Sequence, residues 1–210
     1  VVIIYTVLLA VAAFGLGAVP FSVLVGRWLL GKNIQSYGDG NPGAINVFRA
    51  GGQKAGYLAV VLDVLKGVPF VFLAYTWLEL PGLSLVVVAL SAVLGHAFSP
   101  FLGWHGGKAV AVTFGVLLAL PHHEVLLAFI ACVVVGFLFV ENDAWVVVFG
   151  AAGTLAYLVV TGGESWTILL MLCLLALLVF RHFKDLHSLP HLHGRLIRWL
   201  ESILHGTTSV

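Results

Sequence analysis

The stretch GDGNPGAINVFRAGG, residues 38–52, lies between two long apolar runs, and its reading decides the fold. A segment so rich in glycine and polar groups costs ordering entropy and contributes no apolar burial. It therefore separates two membrane-crossing runs, and its composition asks for a purpose beyond linkage. Glycines at 38, 40 and 43 permit positive φ and let backbone N–H groups converge as a nest for an anion. Arg49 adds a planar fork that clamps two phosphate or carboxylate oxygens. A flexible linker is the plainer reading, but linkers favour Ser, Glu and Lys over an Asn-Pro-Gly, Asn, Arg series.

Outward from this segment the chain is greasy throughout. Of its 210 residues 61% are apolar and 9% charged, with a mean hydropathy of +1.10. Soluble domains run near ~45–50% apolar and ~25% charged, so the chain reads as an all-α, polytopic integral membrane protein. Apolar runs lie near 1–25, 56–77, 83–102, 109–120, 125–140, 145–160 and 166–180. The first three approach the ~20 residues needed to cross the hydrocarbon; the later ones are shorter. The first run lacks a basic start and outlasts a signal-peptide core, so a retained helix is expected. Cys132 and Cys173 fall within apolar runs and read as small buried hydrophobes, not a disulfide.

Charge placement sets the expected count and orientation. Arg27, Lys32, Arg49 and Lys54 flank or lie in the first connection, Lys108 lies in the third, and Arg181, Lys184, Arg195 and Arg198 follow the last run. The connections at 79–82, 121–124 and 161–165 hold no Lys or Arg, and each carries one acid: Glu79, Glu124 or Glu164. About seven crossings put every basic connection on one side, cytoplasmic by the positive-inside rule, with the N-terminus outside and the C-terminus inside. The acidic loop Glu141-Asn142-Asp143 is the exception on that side. The expected organisation is a membrane domain over 1–186 and an interfacial tail over 187–210. In the tail Leu196, Ile197, Leu200 and Ile203 recur at helical spacing beside Arg195 and Arg198, as in an amphipathic helix on an anionic leaflet. Its histidines are irregularly spaced with few carboxylates, so no metal site is expected, and no cofactor or nucleic-acid partner is indicated. No internal repeat suggests a two-halved transporter.

Two further polar islands share the inner side. In GHAFSPFLGWHGGKAVAVTFG, residues 95–115, Gly106-Gly107-Lys108 precedes an apolar run and aims amides and an ammonium at a phosphate. It is not a nucleotide-hydrolysing P-loop: Leu102 stands where that pattern needs glycine, and Ala109 where it needs Ser or Thr. His96 reads equally as a proton carrier or a packing residue. Asp63 and Lys66, three apart on one helical face, read either as a structural ion pair or as partners of a substrate. Arg181, His182, Lys184 and Asp185 at the end of the last run close the same face. Four cations, Lys66, Lys108, Arg49 and Arg181, beside two glycine-rich cradles point to a small phosphate handled next to a lipid.

At these residues the sequence resembles the bacterial acyl-phosphate:glycerol-3-phosphate acyltransferase family, PlsY. The family pattern GSGNxGATNVxR runs along Gly38 to Arg49, LDxLKG along Leu62 to Gly67, GHxxPxFxxFKGGKGVAT from Gly95 through Lys108, and RHxxNI along Arg181, His182, Asp185 and Leu186. This chain departs from it: Asp39 replaces a serine, Ile45 a threonine, His105 a lysine, Ala109 a glycine and Asp185 an asparagine, and residues 140–144 replace an RYxSL stretch. Those changes lower the positive charge of the site, so a dianionic acceptor is expected to be held less well.

The resemblance implies transfer of a fatty acyl group from acyl phosphate to glycerol 3-phosphate at the cytoplasmic face of a bacterial plasma membrane, giving lysophosphatidic acid. It implies catalytic roles for Asp39, Asn46, Arg49 and Lys108. Substrate binding falls to Gly38, Gly40, Asn41, Gly43, Asp63, Lys66, His96, His105, Gly106, Gly107, Arg181, His182 and Asp185. An acyl phosphate is already activated, so alignment and charge cover suffice, and phosphate oxygens can accept the proton. The His-then-Asp pattern of the other bacterial acyltransferase class is absent, since none of the four aspartates has a histidine five positions earlier. Asp39 reads either as a base or as a turn cap. Two other readings stand beside this one: a divergent or inactive member with another phosphorylated acceptor, and an anion carrier. A carrier would place polar groups near the bilayer midplane and on both sides.

Overall fold

A computed structural model describes residues 1–188 and Pro190, and the described residues are helices and turns throughout. The helices are α1 (Val2–Ala18), α2 (Phe21–Leu30), α3 (Ala44–Arg49), α4 (Gln53–Leu65), α5 (Pro69–Thr76), α6 (Gly82–Ala97), α7 (Val110–Ala119), α8 (His123–Phe139), α9 (Asp143–Thr161) and α10 (Ser165–His182). Five helical stretches are long and apolar enough to cross a membrane: 2–30, 53–76, 82–102, 143–161 and 165–182. The expected fourth and fifth crossings correspond to α7 and α8, apolar helices of 10 and 17 residues. At the helical rise α7 is only about 15 Å long. The helix expected in the tail lies outside the described residues.

The first two crossings are broken, and the breaks carry the buried polar groups. Pro20 has no N–H to continue α1 and ends it, leaving the carbonyls of Ala18 and Val19 at a helix C-terminus. Ser99 Oγ donates to Ala18 O at 2.6 Å, and Lys66 Nζ donates to Val19 O at 2.9 Å. Lys66 is itself the C-cap of α4, just before Pro69 opens α5. A cation at the end of α1 also complements its dipole.

Small residues let these elements close up. On α1 and α6, a Cβ on Gly17 would lie 2.1 Å from Ala92 O, and one on Gly95 2.2 Å from Phe14 O. A Cβ on Gly115 of α7 would lie 1.9 Å from Val64 O, so α7 abuts the break between α4 and α5. Backbones at such separation gain packing that larger side chains would forbid in lipid. One apolar core runs through α1 and α5 to α10, including the fully buried Val88, Val93, Leu117, Phe129, Leu174 and Leu178. Large apolar side chains such as Ile3, Trp77 and Val160 face outward, as a hydrocarbon solvent permits.

Candidate active site

The glycine-rich segment folds back on itself before α3. Gly38 and Gly40 adopt φ of +57° and +73°, and at 38 a Cβ would meet Arg49 Nη1 at 2.0 Å and Asn46 Oδ1 at 2.5 Å. Glycine is thus required there for both its dihedral and its size. The buried Asn46 holds the loop together: its Nδ2 donates to Asp39 Oδ1 at 3.0 Å and Asn41 O at 2.8 Å, and its Oδ1 accepts from Arg49 Nη1 at 3.1 Å. Asp39 Oδ1 also accepts from the Asn41 amide at 3.2 Å, an Asx turn. The turn-cap reading of Asp39 is the one its contacts describe.

The GGK loop comes to the same place. Lys108 Nζ lies 2.7 Å from Asp39 Oδ2 and 2.8 Å from Asp185 Oδ2, and Arg49 Nη1 lies 3.8 Å from Asp39 Oδ1. Guanidinium and ammonium therefore share one carboxylate, although they belong to segments far apart in sequence. Partial burial alone would push the Asp39 carboxyl up, but Lys108, the Asn41 amide and Asn46 outweigh it and hold the pKa down at about 2. For Lys108 burial works downward, and the bonds to Asp185 and Asp39 outweigh it and raise the pKa. Both groups are charged at neutral pH.

Other expected site residues bond to groups of the chain itself. Arg181 Nε donates to Gly107 O at 3.0 Å and its Nη2 to Gly106 O at 2.5 Å, while the guanidinium stacks 5.6 Å from the Phe98 ring. It buttresses the GGK loop from behind and does not line the cleft. The Gly107 amide donates to His96 O at 3.0 Å and the Gly40 amide to Tyr37 O at 3.1 Å, so these two N–H groups shape loops instead of facing an anion. A Cβ on Gly106 would lie 1.9 Å from His96 O, which explains the double glycine. His105 is exposed, bonds Gly103 O through Nδ1 at 2.6 Å and lies outside the cleft walls. Lys66 pairs with Asp63 at 2.9 Å, and Ser22 Oγ donates to Asp63 Oδ2 at 2.5 Å. His96 Nδ1 is 3.9 Å from Asp63, and the buried His182 bonds Leu178 O. Of the four expected cations, Arg49 and Lys108 line the cleft; Lys66 and Arg181 are committed to groups of the chain.

Residues unforeseen from sequence complete the wall. Asn142 caps α9 by accepting from the Ala144 amide, and its Nδ2 donates to Asp185 O at 2.9 Å and Ser188 Oγ at 2.8 Å. Trp145 Nε1 donates to Ser188 O at 2.8 Å, so the chain after α10 is tied to the start of α9. Asn directly before an apolar helical run is an N-cap signal, but its second partner lies too far along the chain to be read.

Two cavities meet here. A charged cleft of about 460 Å³ is walled by Arg49, Lys108, Lys184, Asp39 and Asp185 among others. A mostly apolar groove of about 340 Å³ runs from it between α4, α7 and α9, past Val64, Phe114 and Val147, with Gly43, His96 and His182 also in its wall. Asp39, Arg49, Lys108, Asp143 and Ala144 belong to both. Fold and site thus define a polytopic membrane protein with a charged cleft at the mouth of a mostly apolar groove.

Known proteins are similar in sequence and fold. A model of the glycerol-3-phosphate acyltransferase family matches residues 7–191. A glycerol-3-phosphate acyltransferase of Listeria monocytogenes serotype 4a is 31% identical over 197 residues, 92% of this chain and 98% of that protein. One from Neisseria gonorrhoeae is 36% identical over 177 residues, 83% of this chain and 88% of its own. Among solved structures, the glycerol 3-phosphate form of PlsY, an integral membrane glycerol 3-phosphate acyltransferase, superposes with a TM-score of 0.80 at 29% identity, covering 92% of this chain and 98% of that one. Its lysophosphatidic acid form gives 0.79 at 28% identity, covering 93% and 98%. The chain belongs to the glycerol-3-phosphate acyltransferase family.

Proposed function

We propose that this protein transfers a fatty acyl group from acyl phosphate to a hydroxyl of glycerol 3-phosphate, releasing inorganic phosphate and lysophosphatidic acid. The observation that carries the reading is the shared wall: the charged cleft opens directly into the apolar groove at Arg49 and Lys108. An acyl ester of a phosphorylated polyol needs both compartments and needs them contiguous. Glycerol 3-phosphate and lysophosphatidic acid forms of the related PlsY support that choice of acceptor and product.

In this reading Arg49 and Lys108 hold phosphate, and Asn46 aims the guanidinium through its 3.1 Å bond. Val64, Phe114 and Val147 line the acyl chain's path. The acceptor oxygen attacks the acyl carbonyl carbon, and the carbonyl carbon–oxygen bond to phosphate breaks. The electron pair stays on the leaving phosphate, which also takes the hydroxyl proton. Asp39 is a poor acceptor for that proton, because a carboxylate with a pKa of about 2 is a weak base. The cations stabilise charge on the leaving group and fix the two reactants within reach. The cleft opens at the cytoplasmic face of a bacterial plasma membrane, where the positive-inside rule puts the helix ends bearing Arg27 and Lys54 and the connections bearing Lys32 and Lys108.

Purified protein in bilayers, supplied with palmitoyl phosphate and glycerol 3-phosphate, releases phosphate and forms lysophosphatidic acid. Arg49→Ala and Lys108→Ala each cut turnover by about 100-fold or more, the scale of a lost charge-stabilising donor. Wild-type rates in both variants would remove the assignment.

A further inference from the structure

Arg49 and Lys108 are already matched by carboxylates of the chain. Asp39 lies against both Lys108 and Arg49, at 2.7 and 3.8 Å, where one oxygen of a phosphate bridging the two would sit. Asp185 approaches Lys108 from the other side at 2.8 Å. Among the described lining residues three cations, Arg49, Lys108 and Lys184, stand beside three carboxylates, Asp39, Asp143 and Asp185. A dianionic phosphate gains little from cations already paired in this way unless a carboxylate gives way.

The two carboxylates that touch Lys108 differ in how firmly they are held. Asp39 is fixed by the Asn41 amide and by Asn46. The Asp185 carboxylate, among the described residues, has Lys108 as its sole donor, and its side chain is 41% exposed on the short turn after α10. That turn is held through backbone groups, the Asp185 carbonyl accepting from Asn142 and from Ser188, so the side chain can leave without disturbing it. We propose that Asp185 is a specificity-determining residue, a displaceable counter-anion that occupies Lys108 until a phosphate takes its place and so sets the affinity of the cleft for phosphate-bearing acceptors. This rests on the acyltransferase reading only for the identity of the acceptor; the competition itself is a property of the cleft.

Inorganic phosphate is the probe, titrated calorimetrically into detergent-solubilised wild type, Asp185→Asn, Asp185→Ala and Asp185→Glu at neutral pH. Loss of the carboxylate in Asp185→Asn tightens phosphate binding by about fivefold, the equivalent of one partly exposed ion pair. Asp185→Glu keeps the weaker affinity, and Asp185→Ala repeats the tightening should the Asn variant not fold. Unchanged or weaker binding in the Asn and Ala variants overturns the inference. Parallel assays with palmitoyl phosphate and glycerol 3-phosphate separate the two claims. Tighter phosphate binding without acyl transfer sinks the reaction and leaves the counter-anion, and acyl transfer with no gain in phosphate affinity does the reverse.

Discussion

Ala109 holds φ at +66° immediately after Lys108 while being 1% exposed. An L-residue in that region carries about 1–2 kcal/mol of strain, against about 0.8 kcal/mol for the buried methyl. Strain outweighs burial, so Ala109→Gly stabilises the protein by up to about 1 kcal/mol, read as a raised thermal midpoint in detergent. A fall in the midpoint would show that the methyl matters more than the dihedral. Neighbouring Lys108 and Asp39 set a pH window. The Asp39 pKa is depressed from 3.8 to about 2, so its contribution is complete above about 4 and vanishes as pH falls through 2. Lys108 is shifted the other way, above 10.5, so its share persists below that value and is lost only at more alkaline pH. The stability difference between wild type and Asp39→Asn is therefore flat from about pH 5 to 9 and shrinks between pH 4 and 2. A difference that stays constant down to pH 2 would contradict the Asp39–Lys108 pairing.

At the level of elements, the breaks in the first two crossings explain the polar groups buried between them. Lys66 and Asp63 have side chains 1% and 3% exposed, and Lys66 also satisfies the Val19 carbonyl freed by Pro20. Lys66→Met leaves a buried carboxylate and a buried carbonyl together, which costs about 3–5 kcal/mol. Adding Asp63→Asn recovers part of that loss, so the doubly substituted protein unfolds at higher denaturant than Lys66→Met alone. A double variant no more stable than the single would remove the pair from the account. Much of this was legible in sequence: the apolar runs coincide with helices because a backbone in hydrocarbon has to satisfy itself, and Asp63 and Lys66 share a face by spacing. The destination of Lys66 was not, since its acceptor exists only because a proline 46 positions earlier ends another helix. The place of Arg181 was hidden for a similar reason. A cation at the end of the last run reads as one more group on the face of the site, and only the fold shows the carbonyls of Gly106 and Gly107 turned toward it.

Across the whole molecule, the site is made where three segments distant in sequence meet: the loop before α3, the loop before α7 and the turn after α10. Arg49 and Lys108 were visible as candidates because glycine-rich motifs mark them; Asn142 and Ser188 were not, because their role depends on α9 and the segment after α10 packing side by side. The same assembly creates the groove, and its length is a tertiary quantity that no local pattern encodes. Val147 of α9 faces Val64 of α4 and Phe114 of α7 across that space, 340 Å³ in all. A tryptophan at 147 would fill the path of a long chain while standing away from the charged cleft, whose walls do not include this position. Transfer from palmitoyl phosphate then falls at least about tenfold further than transfer from acetyl phosphate, a loss of more than about 1.4 kcal/mol specific to the chain. Parallel thermal melts separate this effect from overpacking, which would lower both rates together. Equal losses for the two donors in a folded Val147→Trp protein would mean that the acyl chain lies elsewhere, along the lipid-facing side of the helices, and that the groove serves only to admit the acceptor.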